Sequence, residues 1–171
     1  MFKILVLNAK GGAGKTTVAT NVASYYAGRG FKTALKDYDS QGSSSFWLKR
    51  RCEQLPAIQS IPMFEDVAGS TASFTHQPER GTEILVIDSP SGVNVSLFKP
   101  ILDEADVILI PVLPSSIDIH AVSRFIAELL LRAKIDRSKG HMAVLANRAR
   151  TNTLVYQKLT KFLQSLGIEF I

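Results

Sequence analysis

The chain has 171 residues, 46% apolar and 20% charged, the proportions of a folded globular domain and not of a disordered segment. Its one cysteine, Cys52, excludes an internal disulfide and fits a reducing compartment, and no run nears the roughly 20 apolar residues that span a bilayer. The net charge of +5 favours an anionic partner, nucleic acid or an acidic membrane surface, without choosing between them.

Short apolar runs alternate with longer helical patterns along the chain. Phe2–Leu7 reads as a strand. Thr16–Arg29 has helical spacing through Val18, Val22 and Tyr25–Tyr26, and Gly28 and Gly30 end it. Phe31–Lys36 is a second strand, followed by a polar loop over Asp37–Ser45, a short helix from about Phe46 to Glu53 and a weak strand at Ala57–Pro62. No structure is assigned to Phe64–Arg80. Ile84–Ile87 is a buried strand ending at Asp88, and Val107–Val112 is another, closed by Pro111 and Pro114. Ser116–Ala133 is a long amphipathic helix with Ser116 or Asp118 as its cap. Met142–Ala146 is a strand, Thr153–Leu166 a helix ended by Gly167, and Ile168–Ile171 begins a last strand.

Continuous apolar strands separated by helices predict an α/β fold: a three-layer, mostly parallel twisted sheet with helices on both faces. With no linker or internal repeat, residues 1–171 are expected to form a single domain. In such sheets ligands bind beyond the carboxyl ends of the strands. The polar, glycine-rich segments after Leu7, Lys36, Ile87, Val112 and Ala146 therefore converge on one edge.

Lys10-Gly11-Gly12-Ala13-Gly14-Lys15-Thr16-Thr17 lies between a strand and a helix at that edge. Its glycines let backbone N–H groups turn inward around phosphate oxygens, and the helix N-terminus adds positive potential, as in a P-loop NTPase. Lys15 is placed to reach the β- and γ-phosphates and the Thr16 hydroxyl to ligate Mg²⁺. Lys10 is an addition that such a loop does not require. Either it is a solvated lysine, or it reaches across an interface to a nucleotide held by a partner subunit.

Asp88 ends a buried strand beside the loop, where a carboxylate can hold Mg²⁺ through a water. Asp37 and Asp39 are two apart after another strand and share a face if the extended geometry persists. Asn147 follows a strand at the same edge. His76, His120, His141 and Cys52 are scattered and form no zinc set.

Lys10–Thr17 resembles the deviant phosphate loop of the ParA/MinD ATPases, whose early lysine acts across a nucleotide-sandwich dimer. Asp37-Tyr38-Asp39-Ser40-Gln41-Gly42 resembles that family's first switch, with Ser40 where proline is usual. Val86-Ile87-Asp88-Ser89-Pro90-Ser91 resembles its second switch, and Ala105–His120 resembles the stretch found in small plasmid-partition ParA proteins. The resemblance covers essentially the whole chain. It implies that Asp39 positions the attacking water, that Asp37 belongs to the Mg²⁺ shell, and that Asn147 hydrogen-bonds the adenine. It also implies that Lys10, Lys15 and Asp39 form the catalytic set. ATP or ADP with Mg²⁺ would be held by Gly11, Gly12, Ala13, Gly14, Lys15, Thr16, Thr17 and Asn147.

The function implied is that of a weak, partner-stimulated ATPase that switches between monomer and dimer to partition or position DNA or a large cargo. A homodimer in the ATP state, non-specific DNA and a stimulating ParB-like or adaptor protein are the expected partners. The expected location is the cytoplasm, with nucleoid association in the ATP state. Lys49, Arg50, Arg51, Arg148 and Arg150 are the candidate phosphate contacts on DNA. The alternatives are a MinD-like membrane-associated ATPase, for which no amphipathic helix speaks directly, and a dethiobiotin- or cobyrinate-synthesis-like ligase. Lys10 and the Asp37–Asp39 pair argue against the ligase. Against the family pattern the chain stops after the strand at Ile168, so a closing C-terminal segment is expected to be lacking.

Overall fold

The computed structural model describes residues 1–64, 76–133, 142–150, 152–166 and 169–170. In chain order its elements are β1 (Phe2–Val6), α1 (Lys15–Gly28), β2 (Thr33–Asp37), α2 (Ser43–Lys49), β3 (Ile58–Pro62), β4 (Ile84–Asp88), α3 (Val95–Glu104), β5 (Val107–Val112), α4 (Ser116–Leu131), β6 (Met142–Ala146), α5 (Leu154–Leu166) and β7 (Glu169–Phe170). Among the described residues the strands form one seven-stranded sheet in the order β3-β2-β4-β1-β5-β6-β7, parallel at every pairing.

Period-two alternation divides each strand between two cores. On one face Ile4 and Val6 of β1, Leu35 of β2 and Ile84 and Val86 of β4 pack under Val18, Ala19 and Ala23 of α1. The small alanines let α1 sit close to the sheet. On the other face Leu5, Leu85, Ile87, Ile108, Ile110, Val112 and Val144 pack against Leu102 of α3, Val122, Phe125, Ile126 and Leu129 of α4, and Leu159 and Leu163 of α5. Each fully buried leucine or isoleucine contributes roughly 1.5–3 kcal/mol. The α1 face is less completely covered toward β5. There an apolar hollow of about 520 Å³ is lined by Phe2, Ile4, Asn21, Val22, Tyr25, Tyr26, Val107 and Leu109.

Several boundaries depart from the sequence reading. The sequence reading assigns no element between β4 and β5, and Pro100 lies inside the helix α3 found there. The helix forms nonetheless, since Asn94 caps it by accepting from the Ser96 and Leu97 amides and Val95 and Leu102 are buried on one side. The helix α2 begins at Ser43, three residues before the expected Phe46, and ends at Lys49, so Arg50 and Arg51 follow it. The cap of α4 is Ser115, not Ser116 or Asp118; its side chain accepts from the Asp118 amide. Asp37 belongs to β2 and not to the loop after it. His141, and most of the Phe64–Arg80 stretch, lie outside the described residues.

Candidate nucleotide-binding site

The register of three strands assembles the site. Val6 of β1 and Asp37 of β2 both pair with Asp88 of β4, so the phosphate loop and the two switch segments leave the sheet side by side. The second switch is tied to the loop by a bond from the Gly92 amide to the Ala9 carbonyl (2.9 Å). Asn8, which sequence reasoning missed, fixes the other flank. It is buried, donates through Nδ2 to the Pro111 carbonyl (2.7 Å), and accepts the Lys10 amide on Oδ1 (2.9 Å).

Gly12 and Gly14 adopt φ of 77° and 92°, which only glycine takes without strain. Gly14 is the N-cap of α1 and directs the N-terminus of that helix at the loop. Lys15, Thr16 and Thr17 open the helix, and with Gly11, Gly12, Gly14, Asp39, Ser91 and Arg148 they line a cavity of about 220 Å³. Arg148 had been considered only as a DNA contact. Its left-handed backbone, φ 52°, is uncommon for a non-glycine residue and places it at the cavity.

The Lys15 side chain is buried and its ammonium lies 3.5 Å from the Lys10 carbonyl. Burial holds its pKa below the usual lysine range, opposed by the nearby Asp88 and Asp39 carboxylates. Asp88 is 1% exposed, and neither carboxylate oxygen has a hydrogen-bond partner in the protein. Its pKa is pushed up to about 6, mainly by burial. The Thr16 hydroxyl opposes that rise and the Asp37 charge adds to it. The hydroxyls of Ser44 and Ser89 are buried and unpartnered as well. Two bare carboxylate oxygens beside the helix-opening Thr16 are what a hydrated Mg²⁺ would satisfy, so the residues fit that ion.

Asp37 is differently committed. Its Oδ2 accepts from the Ser45 amide (3.0 Å) and hydroxyl (2.9 Å), and its Oδ1 from the Asp39 amide (3.1 Å). It thereby fixes the first switch to the start of α2. Asp39 lines the cavity and accepts the Gln41 amide on Oδ1 (3.0 Å). Asn147 lies against the loop, its Nδ2 donating to the Ala13 carbonyl (2.9 Å). Lys10 turns away from the phosphate cavity, and its ammonium meets Asp118 Oδ1 at 2.5 Å on the first turn of α4. Burial alone would raise the Asp118 pKa, but the bonds from Lys10 and Ser115 outweigh it and hold the carboxyl below its usual range.

The model of the CobQ/CobB/MinD/ParA nucleotide binding domain matches residues 4–171. The chain belongs to this family. A ParA-like P-loop ATPase of this family takes ATP and Mg²⁺. The chain is 27% identical over 167 residues to the maintenance of carboxysome distribution protein A of Halothiobacillus neapolitanus, covering 98% of this chain and 76% of that protein. It is 25% identical to the chromosome-partitioning ATPase Soj of Thermus thermophilus, covering 92% and 73% of the two chains. Among solved structures, pNOB8 ParA bound to nonspecific DNA superposes with a TM-score of 0.71 at 20% identity, covering 99% of this chain and 78% of that one. That likeness speaks to the fold. No helix among the described residues is long and apolar enough to cross a membrane.

Proposed function

We propose that this ParA-like ATPase closes into a nucleotide-sandwich dimer on binding Mg²⁺-ATP, hydrolyses the nucleotide slowly, and uses the cycle to partition or position DNA or a large cargo. The observation that carries the reading is the division of labour between two lysines of one loop. Lys15 is buried among the site's carboxylates, whereas Lys10 is turned off its own cavity and its side chain is 39% exposed. A lysine so placed can serve a nucleotide on another subunit once its contact with Asp118 opens.

Each residue of the site has a role in that proposal. The loop amides and Lys15 hold the phosphates, and Thr16 and Asp88 would hold a Mg²⁺ that would supply charge neutralisation there. Asp39 orients a water against the γ-phosphorus and takes its proton as the bond to ADP breaks. Positioning is most of what such a site supplies, so slow turnover is expected. Asp37, already bonded to the start of α2, acts on Mg²⁺ through that segment. The Oδ1 of Asn147, held by the Nδ2 bond to the loop, accepts from the adenine amino group.

DNA is the anionic surface assigned in this reading, by likeness to pNOB8 ParA bound to nonspecific DNA, with Arg150 as a phosphate contact. A partner protein stimulates hydrolysis, and the chain acts in the cytoplasm as a single domain. The solution mass of Asp39→Ala tests the switch, measured by light scattering with Mg²⁺-ATP and then with ADP. A dimer in ATP and a monomer in ADP is the expected result. A monomer in both, with ATP still bound, would defeat the sandwich reading and reopen the metabolic-ligase alternative.

A further inference from the structure

The short helix α2 carries two adjacent exposed aromatics, Phe46 at 58% and Trp47 at 36% exposure. The chain's end-of-helix cations lie over those rings. The Arg50 guanidinium is 5.0 Å from the Phe46 centroid and that of Arg51 is 5.6 Å from the Trp47 centroid. Arg51 is further fixed by donating to the Pro56 carbonyl (3.0 Å). Lys49 is exposed beside them.

The same helix is built into the nucleotide site at its other end. Ser45 is bonded by amide and hydroxyl to Asp37, whose strand position is paired with Asp88. The neighbouring Ser44 is buried, and its hydroxyl has no hydrogen-bond partner in the protein. Gly42, at φ 61°, joins this helix to the Asp39 segment and packs on the Phe64 ring. Ser45, bonded to Asp37, is thus followed directly by the aromatic pair. A shift at Ser44–Ser45 moves Phe46 and Trp47 with it.

We propose that the Phe46–Arg51 face is the docking surface for a partner protein, through a segment that carries carboxylates beside an aromatic side chain, and that docking is coupled to the bound nucleotide through Ser44 and Ser45. The coupling rests on the nucleotide-switch reading above; the docking does not. Charge complementarity selects the carboxylates, since three cations stand together in Lys49, Arg50 and Arg51. The exposed rings select a protein over duplex DNA. Contacts to duplex phosphates come from cations, polar side chains and backbone N–H groups, to which the Phe46 ring adds no donor. Tryptophan and arginine are the residue types that carry protein–protein binding energy. A helix whose exposed apolar side chains are Phe46 and Trp47 alone also offers too little apolar surface for the interfacial helices that lie on membranes.

Trp47 is the chain's only tryptophan, so its emission reads this face directly. The probe is a random copolymer of glutamate and tyrosine, with polyglutamate as the purely acidic control, titrated against the intact chain. The copolymer is expected to shift Trp47 emission with at least tenfold higher affinity than polyglutamate. Phe46→Ala and Arg50→Glu should each weaken it tenfold or more while leaving binding of a fluorescent ATP analogue unchanged. Equal affinity for the two polymers, or insensitivity to both variants, would overturn the docking surface. So would a Phe46-dependent response of Trp47 to duplex DNA or to anionic phosphatidylglycerol vesicles in place of the copolymer. Copolymer binding that is the same in ADP and in Mg²⁺-ATP would overturn the coupling. Sedimentation of Asp39→Ala separates that failure from failure of the switch itself: a dimer in ATP leaves the switch standing and the coupling wrong.

Discussion

The ammonium of Lys10 and the carboxylate of Asp118 meet at 2.5 Å, joining the start of the phosphate loop to the first turn of α4 108 residues away. Ser115 reinforces the arrangement, since its hydroxyl bonds Asp118 Oδ2 while its oxygen caps the helix through the Asp118 amide. In the single subunit the lysine is therefore parked. Any role on a second subunit requires this contact to open, which makes Asp118 a competitor for it.

Asp118→Asn should strengthen ATP-dependent dimerisation. The Lys10 side chain is 39% exposed, so solvent screening limits each pair to about 1 kcal/mol; both subunits open one, so the dimerisation constant changes by up to roughly thirtyfold. Lys10→Ala should bind ATP and remain monomeric. Analytical ultracentrifugation over a concentration series in Mg²⁺-ATP checks both. Weaker dimerisation in Asp118→Asn would make Asp118 part of the interface and not a restraint on it.

Asp88 sets a pH dependence with a definite sign. Its carboxyl is raised from 3.8 to about 6, so between those values the folded protein holds a proton that the unfolded chain has released. Nucleotide-free protein should lose stability as pH rises from about 4 to 6, with the full cost, roughly 3 kcal/mol, present above that window. Asp88→Asn keeps the shape without the charge. It should be more stable than the parent at pH 7 by about 1–3 kcal/mol, and that advantage should vanish by pH 4. Mg²⁺-nucleotide should stabilise the parent and not the variant. Urea unfolding of both proteins across this range, with and without ligand, measures the difference; a constant offset would show that Asp88 is not the titrating group.

Much of the site was legible in the sequence because each part is a local pattern. A strand, a glycine loop and Lys15-Thr16 are contiguous, and the family resemblance supplied the order of the rest. Position within the sheet was legible too, since apolar runs ending in Asp37 and Asp88 had to converge on the loop's edge. The long-range side-chain partners were not. Asn8 reads as a strand-end residue until Pro111 is brought beside it, and nothing near Lys10 in sequence names Asp118. The start of α2 was missed because Ser43, Ser44 and Ser45 favour loops in isolation, and it is the Asp37 carboxylate that holds them helical. The helix α3 likewise rests on tertiary contacts: burial of Val95 and Leu102 outweighs the backbone bond lost at Pro100.

The loop's last glycine and Asn147 form a second close relationship. A Cβ on Gly14 would lie 2.1 Å from Asn147 Nδ2, and the backbone there has φ 92°. Gly14→Ala should thus strain the helix cap and expel the amide from the Ala13 carbonyl, lowering ATP affinity more than tenfold. Asn147→Gly alone loses one hydrogen bond, about 1 kcal/mol. Since the two residues share the same space, the double variant should recover part of the loss from Gly14→Ala. A double-mutant cycle on calorimetric ATP affinity reads the coupling, and strict additivity would mean that the φ strain alone accounts for the effect.

Asn8 gives the sharpest test of how the loop is held, because its two amide atoms do opposite jobs. Oδ1 accepts the Lys10 amide and sets the direction of the loop, while Nδ2 satisfies the buried Pro111 carbonyl at the end of β5. Asn8→Ala leaves that carbonyl without its donor and should cost about 1–3 kcal/mol of stability. Asn8→Asp retains the acceptor for Lys10 but sets a carboxylate oxygen against the Pro111 carbonyl in a buried site. It should therefore be less stable than Asn8→Ala at pH 7, and the gap should narrow as pH falls and the new carboxyl is protonated into a donor. For nucleotide binding the order should reverse, since only the aspartate keeps the Lys10 amide in place. Thermal unfolding against pH and ATP titration of the two variants decide the matter together. If alanine is worse on both counts, the amide acts only by filling space.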